Sequence, residues 1–134
     1  MANTEHLPIY KGCYDLCLYL EQVVHHFSRY QKYTLGSDLR DGARRALRLV
    51  VRANARRDKI EVLLALREQF EELKVVLRLG QDVKAFANFN TFAHATGQVV
   101  SLRQIWGQFT YSSFGVQNRL NSVPRPFTHT PNAG

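Results

Sequence analysis

Cysteine is scarce in this chain: two residues, Cys13 and Cys17, four positions apart. One helical turn puts both on the same face, but a disulfide at that spacing would strain the helix. With no second cysteine pair elsewhere, a thiolate metal site or a redox couple lacks its other half. Both residues read as small core hydrophobes in a reducing compartment. Also missing is any apolar run approaching the ~18 residues a membrane span needs. The segment Met1 to Pro8 has no basic stretch followed by an apolar core, so neither a signal peptide nor a membrane anchor is expected, and the expected location is the cytoplasm.

Recognisable reaction chemistry is absent too. A carboxylate-bridged di-iron bundle needs Glu-x-x-His pairs on two helices, and the chain has no Glu-x-x-His. Glu21 and His25 share a helical face, but two ligands fall short of the three or four a metal site requires; the pair His25-His26 is more simply a helix-surface pair. No serine sits in a Gly-x-Ser-x-Gly elbow, and Gly36 and Gly42 do not form a phosphate loop. The expectation is a chain with no catalytic residue, no metal ligand and no cofactor.

Only 4 prolines and 8 glycines interrupt 134 residues, of which 45% are hydrophobic. That is a globular composition at single-domain length, sufficient to bury a core without covalent staples.

Four segments carry helical periodicity. The first spans about 9–30, with Ile9, Cys13, Leu16, Leu20, Val23, Val24 and Phe27 at three-and-four spacing. A second spans about 37–55, starting at a Gly36-Ser37-Asp38 cap signal, with Leu39, Ala43, Ala46, Leu47, Val50 and Asn54 on one face. The third spans about 58–84 behind a cap at Asp58, its core face formed by Ile60, Leu63, Leu64, Phe70, Leu73, Val76 and Leu77. The fourth spans about 88–109, with an aromatic-rich stripe of Phe89, Phe92, Ala93, Thr96, Val99, Val100, Trp106 and Phe109. Short links between long helices favour an all-α, antiparallel up-down four-helix bundle over residues 1–110. Residues 111–134, with Pro124, Pro126 and Pro131, read as a flexible tail.

Charge is distributed unevenly. Eighteen basic residues against eleven acids give +7. Residues 29–59 alone hold ten basic residues against Asp38, Asp41 and Asp58, so this segment matches the whole net charge. After Asp82 there is no acid at all. Arg40, Arg44, Arg48 and Arg52 repeat every four residues beside the core face of the second helix, forming a nearly straight ridge. Arg45, Arg56, Arg57 and Lys59 extend it. Charge runs are usually solvated faces, but those usually mix signs. Like charges four apart cost ~0.2–0.5 kcal/mol per pair, and an acidic partner would offset that. The ridge is therefore a candidate phosphate-binding face, and binding there would be strongly salt-dependent and weakly sequence-specific. Phe27, Tyr30 and Tyr33 lie close by; stacking on bases is one use for them, filling the end of the bundle the more ordinary one.

The stretch Phe27-Ser28-Arg29-Tyr30-Gln31-Lys32-Tyr33-Thr34-Leu35-Gly36, followed by Ala53-Asn54-Ala55, Lys59, Leu73, Arg78-Leu79, Asp82-Val83-Lys84, Gly97 and Trp106, resembles in order and spacing the Avd family. These are the accessory variability determinants of diversity-generating retroelements, related to the four-helix-bundle ribosomal intervening-sequence proteins. The resemblance covers about residues 7–109. It implies a homopentameric barrel that binds the retroelement's reverse transcriptase and nucleic acid, with RNA the first candidate and DNA a further one, and supports mutagenic copying of a template RNA without polymerising anything itself. Carried onto this chain, it implies that Arg40, Arg44, Arg48, Arg52, Arg56 and Arg57 face RNA or the RNA–reverse transcriptase surface; Arg78 matches a basic family position, and Arg78 and Trp106 are candidates for an interface. The rival expectation is a bundle that binds only protein, with its arginines in salt bridges between subunits; a small metalloenzyme bundle is the third.

Overall fold

A computed structural model describes residues 5–57 and 59–114. Five helices occur in order: α1 (Pro8–His25), α2 (Arg29–Lys32), α3 (Leu35–Ala55), α4 (Ile60–Asp82) and α5 (Phe89–Phe114). Among the described residues there is no strand. The four long helices close a ring: α1 packs on α3, α3 on α4, α4 on α5, and α5 back on α1. Their directions alternate. Gly12 at the start of α1 lies against Leu102 late in α5, while Gly36 at the start of α3 lies against Val24 at the end of α1. The expected helical bundle is what the chain forms.

The boundaries differ from the sequence expectation, for local reasons. Pro8 opens α1 at a position where its missing N–H costs nothing. The helix then stops at His25 rather than running to residue 30. The amides of His26 and Phe27 reach back only three residues, to the carbonyls of Val23 (3.1 Å) and Val24 (2.9 Å), which tightens the last turn. Phe27 swings inward to 6% exposure and meets Phe86 edge-on at 5.4 Å. Ser28 then accepts the amide of Gln31 and starts the one-turn helix α2.

Helix α3 begins at Leu35, ahead of the expected Gly36-Ser37 cap. Its N-cap, Thr34, makes no side-chain cap bond because its hydroxyl donates backwards to the Tyr30 carbonyl at 3.0 Å. Gly36 is a packing residue instead: a Cβ there would lie 2.5 Å from Val24 Cγ1, so glycine is what lets α1 and α3 approach. The Asp58 cap lies outside the described residues, and α4 starts at Ile60.

At its far end α4 stops two residues short of the expected Lys84. The Lys84 amide bonds the Gln81 carbonyl and the Ala85 amide bonds the Gly80 carbonyl, at 3.0 and 2.9 Å. This pair of bonds is a Schellman cap, and it places Lys84 in the left-handed region at φ 61°.

The core is one continuous cluster drawn from all four long helices. Some expected core positions shift by one. On α3, Leu49 and Ala53 are buried, whereas Leu47 and Asn54 are half-buried. On α4, Val62 and Leu66 join Leu63, Phe70, Leu73 and Leu77, while Ile60, Leu64 and Val76 stay partly exposed. The correction is largest on α5. Its buried line is Ala95, Val99, Leu102 and Trp106; Phe89, Ala93 and Val100 face solvent, and Phe92 and Thr96 are half-buried. The side chain of Phe109 lies outside the described residues. Of the expected stripe, Phe92 joins Phe86 and Phe27 in an aromatic cluster at one end of the bundle.

Candidate nucleic-acid interface

The basic row sits on α3, whose core face is fixed by Leu39, Ala43, Ala46, Val50 and Ala53. A four-residue repeat advances about 40° around an α-helix at each step, so the row winds rather than running straight. Arg40 starts at the boundary with α1, its side chain 28% exposed, and Arg44 is at 48%. Arg45, Arg48, Arg52, Arg56 and Arg57 are all exposed.

Glu21 on α1 divides the row into two parts. One of its carboxylate oxygens lies 3.8 Å from Arg40 Nη1, and the other takes a hydrogen bond from Arg44 Nη2. Arg44 also reaches Asp41 at 3.5 Å. The Nε of Arg40 is buried with no partner. These two arginines are partly neutralised within the chain, which the α3 sequence alone did not suggest. By contrast, Arg45, Arg48, Arg52, Arg56 and Arg57 make no ion pair among the described residues. Lys59 turns its ammonium onto the Arg56 carbonyl, where a cation suits the negative end of α3.

The remaining candidates occupy other faces. Arg78 is exposed on α4 and pairs with Asp82 at 3.4 Å, one turn on. Trp106 is 2% exposed. Its indole N–H donates to the Leu63 carbonyl at 2.9 Å, and the guanidinium groups of Arg103 and Arg67 lie 4.7 and 5.4 Å from its ring centroid. The ring therefore joins α5 to α4 inside the bundle and is not presented to solvent.

Of the three aromatics beside the row, only Phe27 fills the bundle end. Tyr30 and Tyr33 stand 77% and 70% exposed on and just after α2. Sequence could not separate them, because the break after His25 decides which ring turns inward.

Both thiols are held protonated. Burial raises the Cys13 pKa above the ordinary value, with Cys17 adding to the effect. Burial also raises that of half-buried Cys17, helped by Glu21 and opposed by Arg44 and Arg48. Neither has the thiolate character that nucleophilic chemistry needs. Among the described residues, no three His, Cys, Asp or Glu side chains converge where a metal ion would fit, and no helix is long and apolar enough to cross a membrane. The exposed part of the row presents planar, permanently charged guanidinium groups along α3 and just past its end. No family model, curated protein or solved structure matches this chain.

Proposed function

We propose that this chain is a non-enzymatic accessory protein of a diversity-generating retroelement, of the Avd kind. It binds the reverse transcriptase and nucleic acid, template RNA and cDNA, through its basic surface, acts as a homopentamer, and supports mutagenic retrohoming. The observation that carries the nucleic-acid part is the set Arg45, Arg48, Arg52, Arg56 and Arg57, exposed and without an acidic partner among the described residues. A bound polyanion offsets their mutual repulsion. The protein-contact part is supported by Val75 and Leu79 on α4 and Val83 at its C-cap, exposed apolar residues at four-residue spacing. The test is low-salt binding of labelled RNA by the full chain and by the triple variant R48E/R52E/R56E. Binding should collapse in the variant. Unchanged binding by a folded triple variant overturns the reading.

A second reading is a bundle that binds only protein, its arginines serving salt bridges. The exposed apolar side chains of Val75, Leu79 and Val83 favour it, since they offer a protein partner contact without nucleic acid. It requires the wild type to bind no RNA at low salt while still associating with itself or a partner, which light scattering reads directly.

A further inference from the structure

We propose that the connection between α1 and α3 is a base-stacking platform, and that the nucleic acid this protein takes is single-stranded. This rests on the nucleic-acid reading of the α3 row and narrows it.

Two large rings normally bury themselves against a core. Tyr30 and Tyr33 do not, and neither ring nor hydroxyl has a partner among the described residues. The backbone beneath them is nonetheless well tied. Ser28 caps α2, the Gln31 side-chain amide donates to the Val83 carbonyl at 3.2 Å, and Thr34 bonds the Tyr30 carbonyl. The two rings are thus mounted on a fixed turn. Tyr30 on α2 and Tyr33 at its C-cap are three positions apart, so both rings are carried by the same short turn.

Cations frame them. Arg29 is exposed and Lys32 half-buried on α2 itself. Lys84 follows Val83, the residue to which α2 is tied, and it is also exposed. Lys84 holds a left-handed backbone position that glycine would occupy with less strain, and it adds a positive charge on the segment to which Gln31 ties α2. Asp82, the acid nearest Lys84 in sequence, is engaged by Arg78, and Asp38 in the first turn of α3 is the acid nearest Tyr33.

Chain continuity joins the platform to the row. Helix α3 begins two residues after Tyr33, and its acid-free arginines run from Arg45 to Arg52, about 15–26 Å along the helix from Leu35. A duplex hides the faces of its bases, so it could use the row but not the rings. An unpaired strand can use both, its phosphates along α3 and one or two bases on the tyrosines.

The experiment compares the full chain with Y30A/Y33A and Y30F/Y33F by fluorescence anisotropy. The probes are a single-stranded RNA, a duplex of the same sequence and an abasic strand, each titrated at several salt concentrations. The wild type should prefer the single strand. Each lost ring should weaken that binding about tenfold, leave duplex and abasic binding unchanged, and leave the slope of log affinity against log salt unchanged, since no phosphate contact is lost. The phenylalanine variant should bind as the wild type does. Equal wild-type affinity for strand and duplex, or wild-type behaviour of Y30A/Y33A, overturns the platform and leaves the α3 reading standing. Absence of any RNA binding by the wild type at low salt overturns both. Loss of protein association by Y30A/Y33A with unchanged RNA binding makes this a protein-contact face and overturns the proposal.

Discussion

Glu21 on α1 holds Arg44 on α3, and with its second carboxylate oxygen it faces Arg40 one turn away. One acid therefore occupies two cations of the row, while the arginines beyond Arg44 remain free of acid among the described residues. Replacing it as Glu21→Gln should free Arg40 and leave Arg44 with Asp41 alone. Each pair is substantially solvated, so thermal stability should change by less than about 1 kcal/mol. RNA affinity at low salt should rise, and the salt slope should steepen by about 0.7 for each arginine that gains a phosphate. Anisotropy across a salt series measures both. An unchanged slope would place the Arg40 end outside the contact.

Two glycines in helices should respond oppositely to alanine. At Gly36 the new Cβ would meet Val24 Cγ1 at 2.5 Å and the Gln31 carbonyl oxygen at 3.1 Å, and that oxygen belongs to a tied backbone. Gly36→Ala should cost about 1–3 kcal/mol through overpacking. Gly97 lies within α5 and a Cβ there meets nothing within 4 Å. Gly97→Ala should stabilise the chain by about 0.5–1 kcal/mol, from lower backbone entropy in the unfolded state. Denaturant unfolding of the two variants checks both signs. Destabilisation at Gly97 would show a neighbouring subunit pressed against α5.

How far the sequence reached can be judged at particular residues. The three-and-four spacing from Ile9 to Val24 is a local signal and specifies both a helix and its buried face. The break after His25 was not legible, because Phe27 fits the same period and only its packing against Phe86, far along the chain, turns it inward. Gly36 and Ser37 have the composition of a cap, yet Thr34 and the approach of α1 decide where α3 begins. On α5 the residues Phe89 and Val100 are apolar by type but exposed, since the bundle buries a narrower line than hydropathy suggests. The exposed arginines were legible as a run on one helix. Their division by Glu21 was not, because it depends on the register between α1 and α3.

Trp106 is the single tryptophan of the chain, and its indole N–H spans from α5 to the Leu63 carbonyl of α4. Trp106→Phe keeps a ring between Arg67 and Arg103 but loses the donor. The expected loss is about 1 kcal/mol for the bond, plus a smaller cost for the volume removed. In the wild type, emission should be blue-shifted and red-shift on unfolding, giving a probe of the α4–α5 contact. Arg103→Ala should alter that native emission without abolishing the fold.

Cys13 gives the chain a pH dependence whose sign follows from its burial. Its folded pKa is raised above the ordinary 9.0, so the folded state retains a proton that the unfolded chain loses in alkaline solution. The stabilisation is fully present below about pH 8.5, the ordinary thiol range. It declines as pH rises above that range, and continues to decline until the folded pKa is passed. Stability measured by urea unfolding should therefore be level from pH 7 to about 8.5 and fall beyond it. Cys13→Val removes the group and should flatten the alkaline limb relative to wild type, at the cost of some packing. Cys17 contributes in the same direction but less, because Arg44 and Arg48 favour its thiolate. Thiol labelling at pH 8 gives an independent check: Cys17 should react slowly in the native protein, Cys13 only as fast as the bundle opens, and both promptly in urea. Rapid native labelling of Cys13 would mean that α1 separates from its neighbours far more readily than its packing implies.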